Sequence, residues 1–244
     1  MSQRQLQLGI LIENADPVRS PDELPWWVER GVVAIGLAWW TSSRYAGGNG
    51  TDEGLTDLGR DMIRAMDDLG VIHDLSHLSQ RASDELLEAT DRPVIASHSN
   101  ARALLGGTDN PGWQRHLSDD SIREIGRRGG VIGLNLCANF LRFYPGLEDG
   151  NPTTLAGEAT GAARPTLDDA IALVEHVCDI TGSRAHVGLG SDMDGGFSAT
   201  QMCEEIESPA DLGKLASALV RRGWSDAEVE GFRRGNWRRF FASA

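Results

Sequence analysis

Residues 70–100, GVIHDLSHLSQRASDELLEATDRPVIASHSN, decide the reading of the fold. Val71 to Leu75 and Val94 to Ser97 are short, nearly continuous apolar runs, the pattern of strands buried on both faces. Between them, 79 to 90 has the spacing of an amphipathic helix, so the stretch reads strand, helix, strand. The same alternation extends in both directions. Further strands are read at Gln7 to Glu13, Val32 to Ala38, Val131 to Leu136 and Val187 to Ser191, and further helices at 22 to 30, 56 to 69, 118 to 128, 167 to 181, 209 to 222 and 225 to 241. Local signals mark several ends. Thr56 precedes a helix whose Leu58, Met62, Ala65, Met66 and Leu69 share one face, and Ser118 and Ser225 precede acidic first turns. Gly31, Gly70 and Gly129 stand just ahead of strands, where a helix ends in a left-handed residue.

Six consecutive βα units predict a parallel sheet, and their regularity favours a TIM-type (β/α)8 barrel over an open sheet. The expectation is one barrel domain over residues 1–244 that is incomplete: six of eight units are visible, and two, about 60 to 80 residues of about 250, are lacking. The one long irregular stretch, Phe143 to Pro165, reads as a lid, a binding loop or a disordered segment.

Composition narrows the function. The 244 residues carry 23 basic and 36 acidic side chains, a net charge of −13 with no Lys/Arg-rich run, which argues against nucleic acid and anionic membranes as partners. No apolar stretch approaches 18 residues, so no membrane span is expected, and the polar start, Met1 to Gln7, lacks a secretory core. Cys137, Cys178 and Cys203 are odd in number and widely spaced, which suits packed thiols in a reducing cytoplasm. Gly188-Leu189-Gly190 opens like a dinucleotide fingerprint but continues into Met193 with no helix, and neither a nucleophile elbow nor a phosphate-binding P-loop is present.

In parallel α/β folds ligands gather where strands end. Glu13 closes the first predicted strand, His77 follows the third, His98 follows the fourth and Asp192 closes the sixth. Each has an ordinary alternative. A strand-end histidine is often a satisfied polar residue, Glu13 can cap the turn Asn14 to Pro17, and Asp192 or Asp194 can shape the turn that ends in Gly195-Gly196. Together, carboxylates and imidazoles at equivalent places in separate units have the chemistry of a divalent-metal site such as Zn²⁺, which makes hydroxide available near neutral pH. His73 points away from these ends and reads as structural, while His116, His176 and His186 have no such placement. Of the tryptophan pairs Trp26, Trp27 and Trp39, Trp40, most read as packing, and Trp39 or Trp40 can line a pocket.

Six stretches carry a resemblance: Leu11-Ile12-Glu13-Asn14-Ala15-Asp16-Pro17, Gly54-Leu55-Thr56-Asp57-Leu58-Gly59-Arg60, Asp74-Leu75-Ser76-His77, Ser97-His98-Ser99-Asn100, Arg115-His116-Leu117-Ser118-Asp119 and Gly190-Ser191-Asp192-Met193-Asp194-Gly195. In this order they resemble the membrane (renal) dipeptidase family of zinc metallopeptidases over nearly the whole chain. The resemblance implies a (β/α)8 barrel with a two-metal site that cleaves dipeptides. It implies that Glu13 bridges the metals, that His77 and His98 hold one of them, that Asp192 is the acid/base and that Arg115 grips the substrate carboxylate. Two departures follow. The His-x-Asp pair of the family's other metal has no counterpart here, which suggests an N-terminally shortened chain, and Trp39 stands where the family commonly has a substrate-contacting His. The expected function is therefore a cytoplasmic metal-dependent hydrolase of a small peptide-like substrate with one or two zinc ions. The alternative is a non-catalytic dipeptidase-like protein serving binding or assembly. Two unpaired strand edges in a six-stranded remnant predict self-association.

Overall fold

The computed structural model describes residues 8–110, 112–143, 164–193 and 195–243. The predicted loop from Phe143 to Pro165 lies almost wholly outside the described residues, as does Asp194. The chain forms two compact units, Met1–Pro93 and Val94–Ala244. Among the described residues no helix is long and apolar enough to cross a membrane.

The first unit runs β1 (Ile10–Ile12), a 3₁₀ turn (Pro21–Glu23), α1 (Leu24–Val28), β2 (Val32–Gly36), α2 (Asp57–Leu69), β3 (Ile72–Asp74) and α3 (Gln80–Ala89). Its strands are parallel in the order β1-β2-β3, with Ile12 opposite Ile35 and Gly36 opposite Asp74. β3 is buried throughout although His73 and Asp74 are polar, and β1 is not: Ile10 and Leu11 are exposed. Among the described residues of this unit β1 pairs only with β2, and burial on both faces is not met there.

The caps form where the sequence places them. Thr56 Oγ1 accepts from Gly59 N at 3.0 Å, and Gly70 closes α2 at φ +67°. The buried stripe of α2 is Gly59, Met62, Ile63 and Met66, rotated from the expected face, and Leu69 is exposed. The reason is a close approach: a Cβ on Gly59 would lie 2.0 Å from the Tyr45 carbonyl oxygen. Tyr45 is itself fully buried with its hydroxyl donating to the Val18 carbonyl. His73 is structural, its Nε2 lying 2.7 Å from Asp67 Oδ1. Burial pushes the Asp67 carboxyl up, but the bonds from His73 and Thr90 outweigh it and hold the group below the ordinary carboxylate range.

The second unit runs β4 (Val94–Ile95), three 3₁₀ turns between Arg102 and Arg115, α4 (Asp119–Arg127), β5 (Ile132–Leu134), α5 (Leu167–Thr181), β6 (Val187–Leu189), α6 (Gly213–Arg221), α7 (Asp226–Glu230) and α8 (Asn236–Ser243). β5 and β6 are parallel, Ile132 opposite Val187, and Ala96 extends β4 alongside Ile132 through Gly133 N to Ala96 O at 2.8 Å. The helix predicted over 225 to 241 is interrupted by a π turn at Gly231–Gly235. Beyond it Asn236 Nδ2 donates to the Arg184 and Val187 carbonyls and Trp237 Nε1 to the Leu189 carbonyl, anchors onto β6 that accompany the change of helical register.

Strands are shorter than the apolar runs because the runs end against turns that begin the functional loops. Two glycines make room for one of these. A Cβ on Gly133 would lie 1.9 Å, and on Gly190 2.1 Å, from the Ser97 carbonyl oxygen, immediately before His98. Gly133→Ala is therefore expected to destabilise the protein by about 1–3 kcal/mol or more through overpacking. Gly213→Ala, at a helical position with nothing within 4 Å of the added carbon, is expected to stabilise by about 0.4–1 kcal/mol. Urea unfolding of both variants checks the pair, and equal midpoints would contradict the packing argument.

Candidate active site

Each residue selected at a strand end lies just past the observed strand, in the turn that leaves it. In the first unit Glu13 follows β1, Trp39 lies three residues beyond β2 and His77 three beyond β3. The turn after Glu13 is closed by Asn14 Oδ1, which accepts from Asp16 N at 3.1 Å, and by Val18 N to Ala15 O at 2.9 Å. Glu13 instead places Oε1 3.1 Å from His77 Nε2. His77 has φ +69°, in the left-handed region uncommon for a residue with a side chain, in a turn opened by Ser76 N donating to Asp74 Oδ1 at 3.0 Å. Its Nδ1 lies 3.1 Å from Asn49 Oδ1. The half-exposed Trp39 ring is tilted against the imidazole, 5.9 Å between centroids.

This arrangement has a chemical consequence. Both ring nitrogens of His77 meet oxygens, while a neutral imidazole carries only one N–H. With the hydrogen on Nδ1 toward the Asn49 oxygen, the Nε2 lone pair faces the Glu13 carboxylate, and a cation held between the two satisfies both. The donor chemistry fits a divalent metal.

In the second unit His98 lies three residues beyond β4, with Nδ1 2.7 Å from Ser97 Oγ. The buried Arg115 guanidinium donates through Nη2 to the His98 carbonyl at 2.7 Å and through Nη1 to Ser99 Oγ at 2.8 Å, and its carbon lies 5.1 Å from the Phe140 ring centroid. Asp192, three residues beyond β6, has φ +57°, and its Oδ2 accepts from Asn135 Nδ2 at 2.9 Å. The same Nδ2 lies 3.3 Å from the His98 carbonyl. Asn135 is fully buried, its N–H donates to Asn100 Oδ1, and its Oδ1 accepts from Cys137 N. One amide thus ties Asp192 to the His98 turn.

Within the first unit, then, the structure brings Glu13, His77 and Trp39 together, and within the second it brings His98, Arg115 and Asp192 together. Sequence reasoning missed Asn49 and Asn135. Asn135 stands directly after β5, so the strand-end criterion applied to that strand would have found it, whereas Asn49 sits in a loop without a local signal. Cysteine chemistry is disfavoured: burial pushes the Cys137 and Cys178 thiols up to about 12 and the Cys203 thiol up to about 11. His176 pairs with Asp119 at 2.8 Å and His186 with the Gly130 carbonyl at 2.9 Å.

The sequence profile described as membrane dipeptidase, peptidase family M19, matches residues 1–244. The chain belongs to the membrane dipeptidase family. An uncharacterized dipeptidase of Schizosaccharomyces pombe is 32% identical over 180 residues, which is 74% of this chain and 37% of that protein. A metallopeptidase of Rhodobacter sphaeroides, solved with a phosphinate mimic of the dipeptide L-Ala-D-Ala, superposes with a TM-score of 0.77 at 27% identity, covering 94% of this chain and 61% of that one. The probable dipeptidase PvdM of Pseudomonas aeruginosa shares the fold at a TM-score of 0.79 and 24% identity, over 96% and 67%. The chain thus spans well under half the length of the S. pombe relative. Its fold class is that of the membrane dipeptidases, α/β with parallel strands, an incomplete (β/α)8-type barrel with six strand–helix units among the described residues.

Within this membrane dipeptidase fold, His116 lies next to Arg115 but serves the core. It is buried edge-on against Phe140, and its Nδ1 finds no hydrogen-bond partner among the described residues. Burial, then the charges of Arg115 and Arg102, push its pKa down from 6.5 to about 3. The unfolded chain takes up this proton below 6.5 and the folded one only near 3, so the unfolded state binds more protons in that window. The contribution of neutral His116 is complete above pH 6.5 and is lost as pH falls toward 3. Its slope reaches at most about 1.4 kcal/mol per pH unit. His116→Gln is expected to flatten the acid limb of stability against pH, measured by urea unfolding; an unchanged slope would contradict the assignment.

Proposed function

We propose that the protein hydrolyses the amide bond of a dipeptide or similarly small peptide-like substrate, using a divalent metal for which zinc is the first candidate. The observation that carries the reading is the Glu13–His77 pair, a carboxylate oxygen facing an imidazole nitrogen whose partner nitrogen already meets an oxygen. The family resemblance adds His98 as a further ligand, giving one carboxylate and two imidazoles, a donor set that suits zinc. When bound, such an ion supplies Lewis acidity toward the amide carbonyl and a hydroxide nucleophile near neutral pH. The family membership and the dipeptide mimic on the Rhodobacter sphaeroides relative support the substrate class.

The remaining roles fall to side chains of this chain. Asp192 takes the proton released from water and delivers it to the leaving amine. Asn135 holds its Oδ2, which keeps Oδ1 for the transfer. Arg115 grips the substrate carboxylate, its plane set by Ser99 and the His98 carbonyl. Trp39 walls the site beside His77. We assign the protein to a reducing compartment, the cytoplasm, on its free thiols. Self-association is also proposed, supported by the exposed Ile10 and Leu11 of β1.

The test is turnover of a dipeptide panel with zinc, together with metal content. The wild-type chain is expected to hydrolyse members of the panel, and the His77→Ala, His98→Ala double variant to lose its metal. Asp192→Asn is expected to lower kcat by about 10²–10⁴-fold with its metal retained, and Arg115→Ala mainly to raise KM. Metal and activity lost in equal measure in Asp192→Asn would make Asp192 a ligand and contradict the role assigned.

A further inference from the structure

Asn49 stands at no strand end, yet it grips His77 at two points. Its side-chain Oδ1 lies 3.1 Å from His77 Nδ1, and its backbone N–H lies 2.8 Å from the His77 carbonyl and 3.1 Å from the Trp39 carbonyl. The adjoining residues reinforce this seam: Gly48 bridges to Leu78, and Ser79 N donates to the Gly47 carbonyl at 3.0 Å. The seam accounts for a strained residue, since His77 at φ +69° persists only where its surroundings over-determine it.

The side-chain bond is a separate matter from the seam, because backbone atoms alone would make the seam. Asn49 is buried, and its Nδ2 finds no hydrogen-bond partner among the described residues. A leucine would fill similar space without burying an unmatched donor, so packing does not explain the amide. Its oxygen does. An amide oxygen only accepts, so at Nδ1 it selects the ring form that carries its hydrogen there and leaves the Nε2 lone pair outward. Nε2 is the atom 3.1 Å from Glu13 Oε1. The carboxylate on its own would favour the opposite form, with the hydrogen on Nε2. The two oxygens compete for one proton, and a cation on the Nε2 side decides for Nδ1–H.

We propose that Asn49 is a positioning residue that fixes His77 as the Nδ1–H form and so makes Nε2 its metal-ligating atom; the proposal rests on the metal reading given above. It assigns to a loop residue the orienting bond that a metal-bound imidazole ordinarily makes through its second nitrogen.

The experiment uses the whole chain with ¹⁵N-labelled histidine, above the ordinary imidazole pKa of about 6.5. The ring nitrogens of His77 are followed by NMR during a zinc titration, and zinc affinity is measured by chelator competition for wild type, Asn49→Ala, Asn49→Asp and Asn49→Leu. The zinc-loaded wild type is expected to show hydrogen on Nδ1 and metal on Nε2. Asn49→Ala and Asn49→Leu are expected to bind zinc about 10–100-fold more weakly, with circular dichroism unchanged, while Asn49→Asp, which keeps an acceptor oxygen, recovers most of the affinity. A purely structural role would weaken Asp and Leu alike. Zinc on Nδ1, or wild-type affinity in a folded Asn49→Ala, overturns the proposal and leaves the metal reading standing. A wild type that takes up no zinc overturns the metal reading and the proposal with it, an outcome distinct from zinc bound on Nδ1. The wild-type spectra carry this decision even if a variant fails to fold.

Discussion

A parallel strand buried on both faces has no solvent-open face along its length, so polar groups within it are tied up internally and ligand chemistry gathers where it ends. That constraint organises the protein. β3 is buried from Ile72 to Asp74, and its first ligand-type residue free of the sheet is His77. Ala96 is still bridged to β5, and His98 comes two residues later. β5 gives way to Asn135 and β6 to Asp192 by the same logic. The helices and their caps serve to bring each strand to that end: Thr56 starts α2 and Gly70 stops it immediately before β3.

Polar side chains released in this way still have to be aimed, and the backbone supplies much of the aim. His77 and Asp192 are the two non-glycine residues with positive φ among the described residues, and both belong to the proposed machinery. Such conformations cost about 1–3 kcal/mol each and cluster where function over-determines them. Each is matched by a buried asparagine, Asn49 at His77 and Asn135 at Asp192. An amide suits the task because it offers an acceptor and a donor at fixed geometry without a charge to desolvate. The glycines at 133 and 190 complete the arrangement by giving the Ser97 carbonyl its place.

Much of this was legible in the sequence because periodicity and caps report burial directly. The 167–181 helix is found at its predicted limits, and the six strands lie inside their predicted runs. The misreadings have local causes. The stripe of α2 turned because Gly59 meets the Tyr45 backbone, a contact made across 14 residues that no helical pattern encodes. The last helix was interrupted because Asn236 and Trp237 bond to β6 carbonyls. Among the candidate residues, Glu13, His77, His98 and Asp192 were visible because strand ends announce themselves. Asn49 was not, since its role depends on where a loop returns. His116 carries no such mark in the sequence, because only the fold reveals its burial beside Arg115.

The proposal on which the rest depends is a divalent-ion site of oxygen and imidazole donors at Glu13 and His77. X-ray absorption of the zinc-loaded chain tests it most directly. The account predicts a first shell of nitrogen and oxygen alone at about 2.0–2.2 Å, with the multiple-scattering signature of imidazole. A sulfur shell at about 2.3 Å, or a shell without imidazole, would contradict it.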